Sequence, residues 1–260
     1  MPEGDTVYLA ARKLDRALTG QVLTSSDFRI PSLATSDISG ATVSGTVSRG
    51  KHLLTRFDNG LTLRTHLKME GTWQVDRAGM RWRRPAHTAR VILRTSSMEA
   101  VGFQVILDLV PTDEEEDLVG HLGPDLLGPD WDAEVALARL RADPAVPIGD
   151  ALLEQRNLAG VGNVFKSELC FLGRVDPLTP VRWVPDLPAM VAKARQLLEV
   201  NKNRSTRITT ADTRRGYQLW VYGRRGPCLR CSTRIRKADQ GPPGQERPTY
   251  WCPTCQPRLG

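Results

Sequence analysis

No run of about 18 apolar residues occurs in the 260-residue chain, so no membrane-spanning helix is expected. The opening "MPEGDTVYLAARK" lacks the apolar stretch of a secretory signal, which makes the cytoplasm the expected compartment. Aromatic residues are few, at 6%, yet 40% of the chain is hydrophobic, which excludes a disordered polymer. That length supports one large or two medium domains with real cores. Acidic residues are scarce at one end: residues 202–260 hold 13 Lys and Arg against 3 Asp and Glu, a balance of +10. Residues 1–201 balance at −3, so the basicity belongs to the tail and points to a polyanion partner such as nucleic acid.

Cysteine is also scarce, and four of the five sit in that basic tail. They form "CLRC" (Cys228, Cys231) and "CPTC" (Cys252, Cys255), with 20 residues between the pairs. Each Cys-x-x-Cys turns tightly enough to offer two thiolates to one tetrahedral ion, and the intervening stretch is long enough for a returning β-hairpin. One structural Zn2+ is the expected occupant, because four thiolates leave no open coordination position. Cys170, in "FKSELCFLG", reads as a small buried apolar residue.

The chain begins "MPEGDT". A small residue at position 2 permits removal of Met1, which leaves the Pro2 nitrogen as a free secondary amine. An α-amino group has a pKa of roughly 8, so roughly a tenth is neutral and nucleophilic at pH 7. Such an amine condenses with an aldehyde carbon to an iminium. The following "VYLAARKLDRAL" places Val7, Ala10, Ala11, Leu14, Ala17 and Leu18 on one helical face, with Asp5 or Thr6 expected as N-cap.

From about residue 21 to 110 the pattern is one of short alternating runs. "HLLTRFDNGLTLRTHL" alternates on both sides of "DNG", and "ARVILRTSSMEAVGFQVIL" reads as a second hairpin. Several such units predict a β-sandwich. The acidic run Asp113 to Asp117 reads as a solvated face or a helix start. Beyond "GPDLLGPDWD" the pattern turns helical, placing a domain boundary near residues 125 to 130. Helices are expected in "AEVALARLR", "IGDALLEQ", "NVFKSELCFL" and "LPAMVAKARQLLEV". Between the second and third, "RNLAGVGN" makes a double-glycine turn into a helix at Asn163, whose free N–H groups are expected to hold a phosphate.

Taken in order, "MPEG", "SRGKHLL", "THLKMEGTW", "GPDLL", "LLEQRNLAGVGNVFKSELCF" and "RPTYWCPTCQ" resemble the formamidopyrimidine-DNA glycosylase and endonuclease VIII family of base-excision repair enzymes. The resemblance implies an α+β fold: an N-terminal β-sandwich with a flanking N-terminal helix, then a helical helix-two-turns-helix region ending in a four-cysteine β-hairpin zinc finger. The implied segments are 1–125, 131–215 and 220–257. It further implies a bifunctional glycosylase and abasic-site lyase acting on damaged DNA as a monomer, associated with the nucleoid through that DNA. In this pattern Pro2 attacks C1′ of the damaged nucleotide and Glu3 handles protons at the sugar. Lys51 serves as proton donor during elimination, and Asn163 contacts a backbone phosphate. Arg247 contacts the phosphates flanking the lesion and donates a proton in δ-elimination.

The target nucleotide is flipped out, and Lys68, Met69 and Glu70 supply the loop that fills the gap, with Met69 as the wedge. The alternative for Met69 is a core methionine. Departures from the pattern are informative. Thr6 replaces a second glutamate, so its proton role is absent or passes to Asp5. His121 replaces an arginine that contacts DNA. The loop typical of the oxidised-purine branch is missing, which favours the endonuclease VIII branch and oxidised pyrimidines. An oxidised-purine glycosylase and a non-catalytic zinc-ribbon DNA-binding protein are the alternatives.

Overall fold

The computed structural model describes residues 2–244 and 246–259. They form two compact units, one containing Pro2 and Thr6–His121, the other containing Glu3–Asp5 and the chain from Leu122 onward.

In the first unit, helix α1 (Gly4–Leu18) starts earlier than expected, so Asp5 and Thr6 lie inside its first turn and neither is its N-cap. Val7, Ala11, Leu14 and Leu18 are each at most 3% exposed, as the 3.6-residue periodicity requires. Eight strands follow: β1 (Ser25–Phe28), β2 (Val43–Arg49), β3 (His52–Phe57), β4 (Leu61–His66), β5 (Thr72–Arg77), β6 (Ala89–Arg94), β7 (Met98–Phe103) and β8 (Ile106–Pro111). They make two antiparallel four-stranded sheets, ordered β1-β6-β7-β5 and β2-β3-β4-β8. Both hairpins foreseen in the sequence are present, with Arg56 opposite Thr62 in one and Arg94 opposite Glu99 in the other.

Alternation fills a shared core. Val43, Leu53, Leu63 and Leu107 of one sheet join Phe28, Val91, Leu93 and Ala100 of the other and the apolar face of α1. Each such leucine or valine contributes about 1.5–3 kcal/mol by leaving water. The acidic run is not simply a solvated face. It opens α2 (Glu115–Val119), and the Glu115 carboxylate accepts two hydrogen bonds from Arg56, both 2.7 Å, and one from the Thr62 hydroxyl at 2.6 Å. The sheet thus holds α2 by its first residue.

The second unit contains α3 (Ala133–Ala142), α4 (Ile148–Leu153), α5 (Asn163–Leu172) and α6 (Leu187–Asn201). Asp132 caps α3 through the N–H groups of Glu134 and Val135, and Asp186 caps α6 through that of Ala189. Helix α5 runs through the middle, buried from Asn163 to Phe171. The chain ends in an antiparallel hairpin, β9 (Arg236–Gln240) and β10 (Arg247–Trp251), with Arg247 opposite Gln240. Its core is borrowed: Phe171 of α5 and Val221 pack with Cys228 and Cys252, bordered by Trp220, Ile235 and Tyr250. Cys170 is fully buried in the main helical core.

Candidate active site

The start of α5 is built to receive a carboxylate from the other end of the chain. Glu3 is fully buried, and its side chain accepts hydrogen bonds from the N–H groups of Val164 (2.7 Å), Gly162 (2.9 Å) and Phe165 (3.3 Å). These are orphan donors of a helix N-terminus, where the macrodipole also favours negative charge. The N–H groups expected to hold a phosphate are therefore already occupied. The glycines of "AGVGN" make this possible. Gly160 has φ +112, a conformation that suits glycine, and its carbonyl accepts the Gly4 N–H at 2.9 Å. A Cβ at Gly162 would stand 2.4 Å from Glu3 Cδ, inside any tolerable contact. Pro2, half-buried and peptide-bonded to Glu3, thus adjoins a buried anchor and not a frayed tail.

The next acidic side chain is locked as well. Asp5 is 2% exposed, and its two oxygens accept from Arg207 Nε and Nη2 at 2.6 and 2.7 Å. Arg207 also lies 3.9 Å from Glu3 Oε1 and over the Phe165 ring. A bidentate, buried carboxylate of this kind holds its arginine in place, and of the two alternatives for the proton role at Thr6 it favours absence over transfer to Asp5.

Three further polar groups of α5 fasten the segment before the hairpin and the hairpin itself. Asn163 is 1% exposed, and its amide donates to the Pro248 carbonyl at 2.6 Å, beside Arg247. Among the described residues its Oδ1 has no hydrogen-bond partner. Lys166, fully buried, donates to Thr249 Oγ1 at 2.5 Å. Burial pushes its ammonium down to about 8, against the opposing influence of Cys170, Asp150 and Glu3. Glu168 accepts from the backbone N–H groups of Trp220 (2.8 Å), Val221 (2.9 Å) and Tyr222 (2.9 Å), and from the Thr209 hydroxyl. Lys166, Glu168 and Arg207 are absent from the sequence reading. The available signal was two charges inside the otherwise apolar "NVFKSELCFL", a pattern that burial explains only when each charge has a partner.

Arg247 itself is exposed at the start of β10. On either side of the hairpin in sequence, the sulfurs of Cys228, Cys231, Cys252 and Cys255 all lie within 4.8 Å of one another, with Cys228–Cys255 at 4.0 Å and Cys231–Cys252 at 3.4 Å. Four thiolates about 2.3 Å from one tetrahedral ion stand about 3.8 Å apart, so the cluster fits a single metal ion.

In the first unit, Lys51 occupies the two-residue turn between β2 and β3, behind Gly50 with φ +57, since Arg49 pairs with His52. Lys68, Met69 and Glu70 form the turn between β4 and β5. Met69 is 59% exposed, so it is not a core methionine. The Lys68 N–H donates to His66 Nδ1 at 2.9 Å, and Glu70 Oε2 accepts from Gln104 Nε2 at 3.1 Å. His121 is exposed.

Two histidines that the sequence reading passed over meet here, the rings of His52 and His66 lying edge to face with centroids 5.0 Å apart. Burial, then the charges of His66, Arg64, His121 and Lys68, push the His52 imidazole down to about 3. Burial, then Lys68, Lys51 and Arg64, push His66 down to about 4. Both values lie below the roughly 6.5 of an unfolded imidazole, so the unfolded chain takes up protons first as pH falls. Stability is therefore expected to drop from about pH 6.5 toward about pH 4. Urea midpoints measured across this range should fall with pH, and His52→Gln should flatten the slope. An unchanged slope in that variant would show that the pair is not the source.

Residues 1–106 match the formamidopyrimidine-DNA glycosylase N-terminal domain. The chain is 57% identical over 264 aligned residues to a Streptomyces coelicolor protein named probable endonuclease 8 2, covering 98% of this chain and 94% of that one. It is 48% identical to the DNA-(apurinic or apyrimidinic site) lyase Nei2 of Mycolicibacterium smegmatis, over 98% of this chain and 99% of that one. Its fold superposes with a TM-score of 0.80 on Lactococcus lactis Fpg, solved in complex with an abasic site containing DNA, at 22% identity over 98% of this chain and 100% of that chain. With the buried Glu3 anchor and the four-cysteine hairpin in place, the chain belongs to the formamidopyrimidine-DNA glycosylase and endonuclease VIII family, in its endonuclease VIII branch.

Proposed function

We propose that this protein is a bifunctional DNA glycosylase and abasic-site lyase of base-excision repair, with oxidised pyrimidines as its favoured substrates. The observation that carries the proposal is the fixed Glu3 side chain: it is bound by three N–H donors at the start of α5, those of Gly162, Val164 and Phe165, directly behind the proline. The names of the endonuclease 8 and Nei2 relatives support the same activity and branch.

In the proposed reaction the Pro2 amine, freed by loss of Met1, bonds to C1′ of a flipped-out nucleotide as the glycosidic bond breaks. Glu3 handles protons at the sugar as the ring opens and the base departs. The resulting iminium acidifies C2′, and loss of that proton expels the 3′ phosphate. A second elimination then expels the 5′ phosphate. Lys51 supplies a proton during elimination, and Arg247 supplies one in the δ step. Phosphates are held by Arg247, by Lys68 and His121, and by Asn163, while Met69 and Glu70 fill the gap left in the stack. The catalytic part spans 1–125, the helix-two-turns-helix part 131–215 and the finger 220–257, acting as a monomer.

Zn2+ is the proposed ion for Cys228, Cys231, Cys252 and Cys255, and its contribution is structural: it folds the hairpin that carries Arg247. Removing Cys252 should release the ion and weaken DNA binding without changing the order of lesion preference. Arg247→Ala should reproduce much of that binding loss with zinc still bound, and its salt dependence should be shallower by about one phosphate contact. Zinc content, binding against salt and the ratio of β to δ products check this. Normal binding by zinc-free protein would sink it.

The function is tested by incubating the protein with duplexes carrying thymine glycol, 8-oxoguanine or a preformed abasic site, each with and without borohydride. Cleavage of thymine glycol ahead of 8-oxoguanine, with covalent trapping on all cleaved strands, is the expected outcome. The reverse order would indicate the purine specificity, and binding without cleavage would indicate a non-catalytic binder.

A further inference from the structure

Residues 76–90, "DRAGMRWRRPAHTAR", hold five arginines and one aspartate in a unit that is otherwise rich in paired charges. Elsewhere in the first unit Arg29, Arg56, Arg64 and Arg94 each face a carboxylate within 2.8 Å. In the loop, Arg83 pairs with Asp76 at 2.9 Å, but among the described residues Arg77, Arg81 and Arg84 have no carboxylate partner. All four side chains are exposed.

The loop is nevertheless held firmly. Trp82 packs edge to face on Phe103, with centroids 5.7 Å apart, and donates its indole N–H to Glu99 at 2.7 Å. The Arg29 guanidinium lies over its ring at 5.5 Å. Gln74 grips the backbone on both sides of Trp82, accepting from the Arg83 N–H at 2.8 Å and donating to the Arg81 carbonyl at 3.3 Å. An unpaired arginine array costs self-repulsion, and a fold that pins it in place has already met the ordering cost that a polyanion ligand would otherwise impose.

One residue joins this loop to the turn that carries Met69. Gln104, at φ +52 between β7 and β8, donates its N–H to the Thr88 carbonyl at 2.8 Å. Its Oε1 accepts from Arg84 Nη1 at 2.9 Å, and its Nε2 donates to Glu70 Oε2 at 3.1 Å. Arg84 therefore stands two hydrogen bonds from the turn at 68–70, on the same rigid hub.

We propose that the arginine loop between β5 and β6 is a second contact for the DNA backbone, placed by Gln104 beside the Met69 turn so that Arg77, Arg81 and Arg84 meet the phosphates next to the wedge. The proposal rests on the DNA-repair function given above. Duplex DNA is favoured over an acidic protein because the loop shares its hub with the element that enters the base stack.

The test compares the wild-type protein with R77Q/R81Q/R84Q and R77K/R81K/R84K for binding to a duplex carrying a stable abasic-site analogue, across a range of salt. Each phosphate contact adds roughly 0.9 to the slope of log affinity against log salt, about 5-fold in affinity near 0.15 M. The glutamine variant should lose about 100-fold in affinity and about 2 to 3 in slope. The lysine variant should keep most of the slope. Equal slopes in wild type and the glutamine variant would overturn the proposal, as would equal losses in the lysine and glutamine variants, which would make the loop structural. Unchanged DNA binding with loss of polyglutamate binding would assign the loop to an acidic protein instead. Borohydride trapping by the wild type is scored in parallel. Failure to trap, with the salt slopes still separated, would overturn the enzymatic function and leave the duplex contact supported.

Discussion

Glu3→Gln is expected to slow release of an oxidised base by roughly 10²- to 10⁴-fold, the range for a positioned acid–base group, while leaving measurable cleavage at a preformed abasic site. A preformed abasic site already offers its aldehyde carbon, so iminium formation there needs less help with protons. The variant should also be less stable. Glu3 is fully buried and accepts three backbone N–H groups, and a glutamine must turn an NH2 group toward at least one of those donors. Charge-assisted bonds of this kind contribute about 1.5–3 kcal/mol each. Gly162→Ala separates position from chemistry, because it keeps the carboxylate but places a methyl 2.4 Å from its Cδ. It should cost about 1–3 kcal/mol of stability and shift base release in the same direction as Glu3→Gln. Single-turnover rates on thymine glycol and abasic duplexes, with melting temperatures, decide the matter. Equal loss on both substrates in Glu3→Gln would remove the proton role and leave Glu3 as an anchor only.

Retention of Met1 is expected to abolish borohydride trapping and to lower strand cleavage by on the order of 10³-fold or more, the scale seen when a covalent nucleophile is removed. In the retained form the Pro2 nitrogen is a tertiary amide with no lone pair free to attack. The fold should tolerate the extra residue, since the buried anchor begins at Glu3 and Gly4 and not at Pro2. Intact mass and trapping yield, measured on the same preparations, connect processing to activity. Full trapping by protein that keeps Met1 would rule out the Pro2 amine.

What the sequence made legible was local. "DNG" between two alternating runs specified the β3–β4 hairpin, and the two Cys-x-x-Cys pairs specified a four-sulfur cluster that the fold gathers within 4.8 Å. The glycine turn before Asn163 was readable as a helix start, but its ligand was not, because Glu3 lies 159 residues from Gly162 and no periodicity links them. Asp5 and Arg207 are separated by 202 residues and were equally hidden. The arginine loop escaped for a different reason: averaging over residues 1–201, which balance at −3, cancels five arginines in 76–90 against acids elsewhere. Charge is informative at the scale of a loop, and whole-segment sums erase it.

Peptide mapping of the complex trapped by borohydride on abasic DNA tests the central claim most directly, because it names the atom that attacks. Lys166 is the chemical rival, its ammonium pushed down to about 8 by burial, yet it is fully buried and donates to Thr249 at 2.5 Å. Lys51 is the other lysine proposed to take part in the chemistry. The expected result is a single N-terminal peptide that lacks Met1 and carries the sugar remnant on the nitrogen of Pro2. A remnant on Lys51, on Lys166 or on any other internal lysine would contradict it.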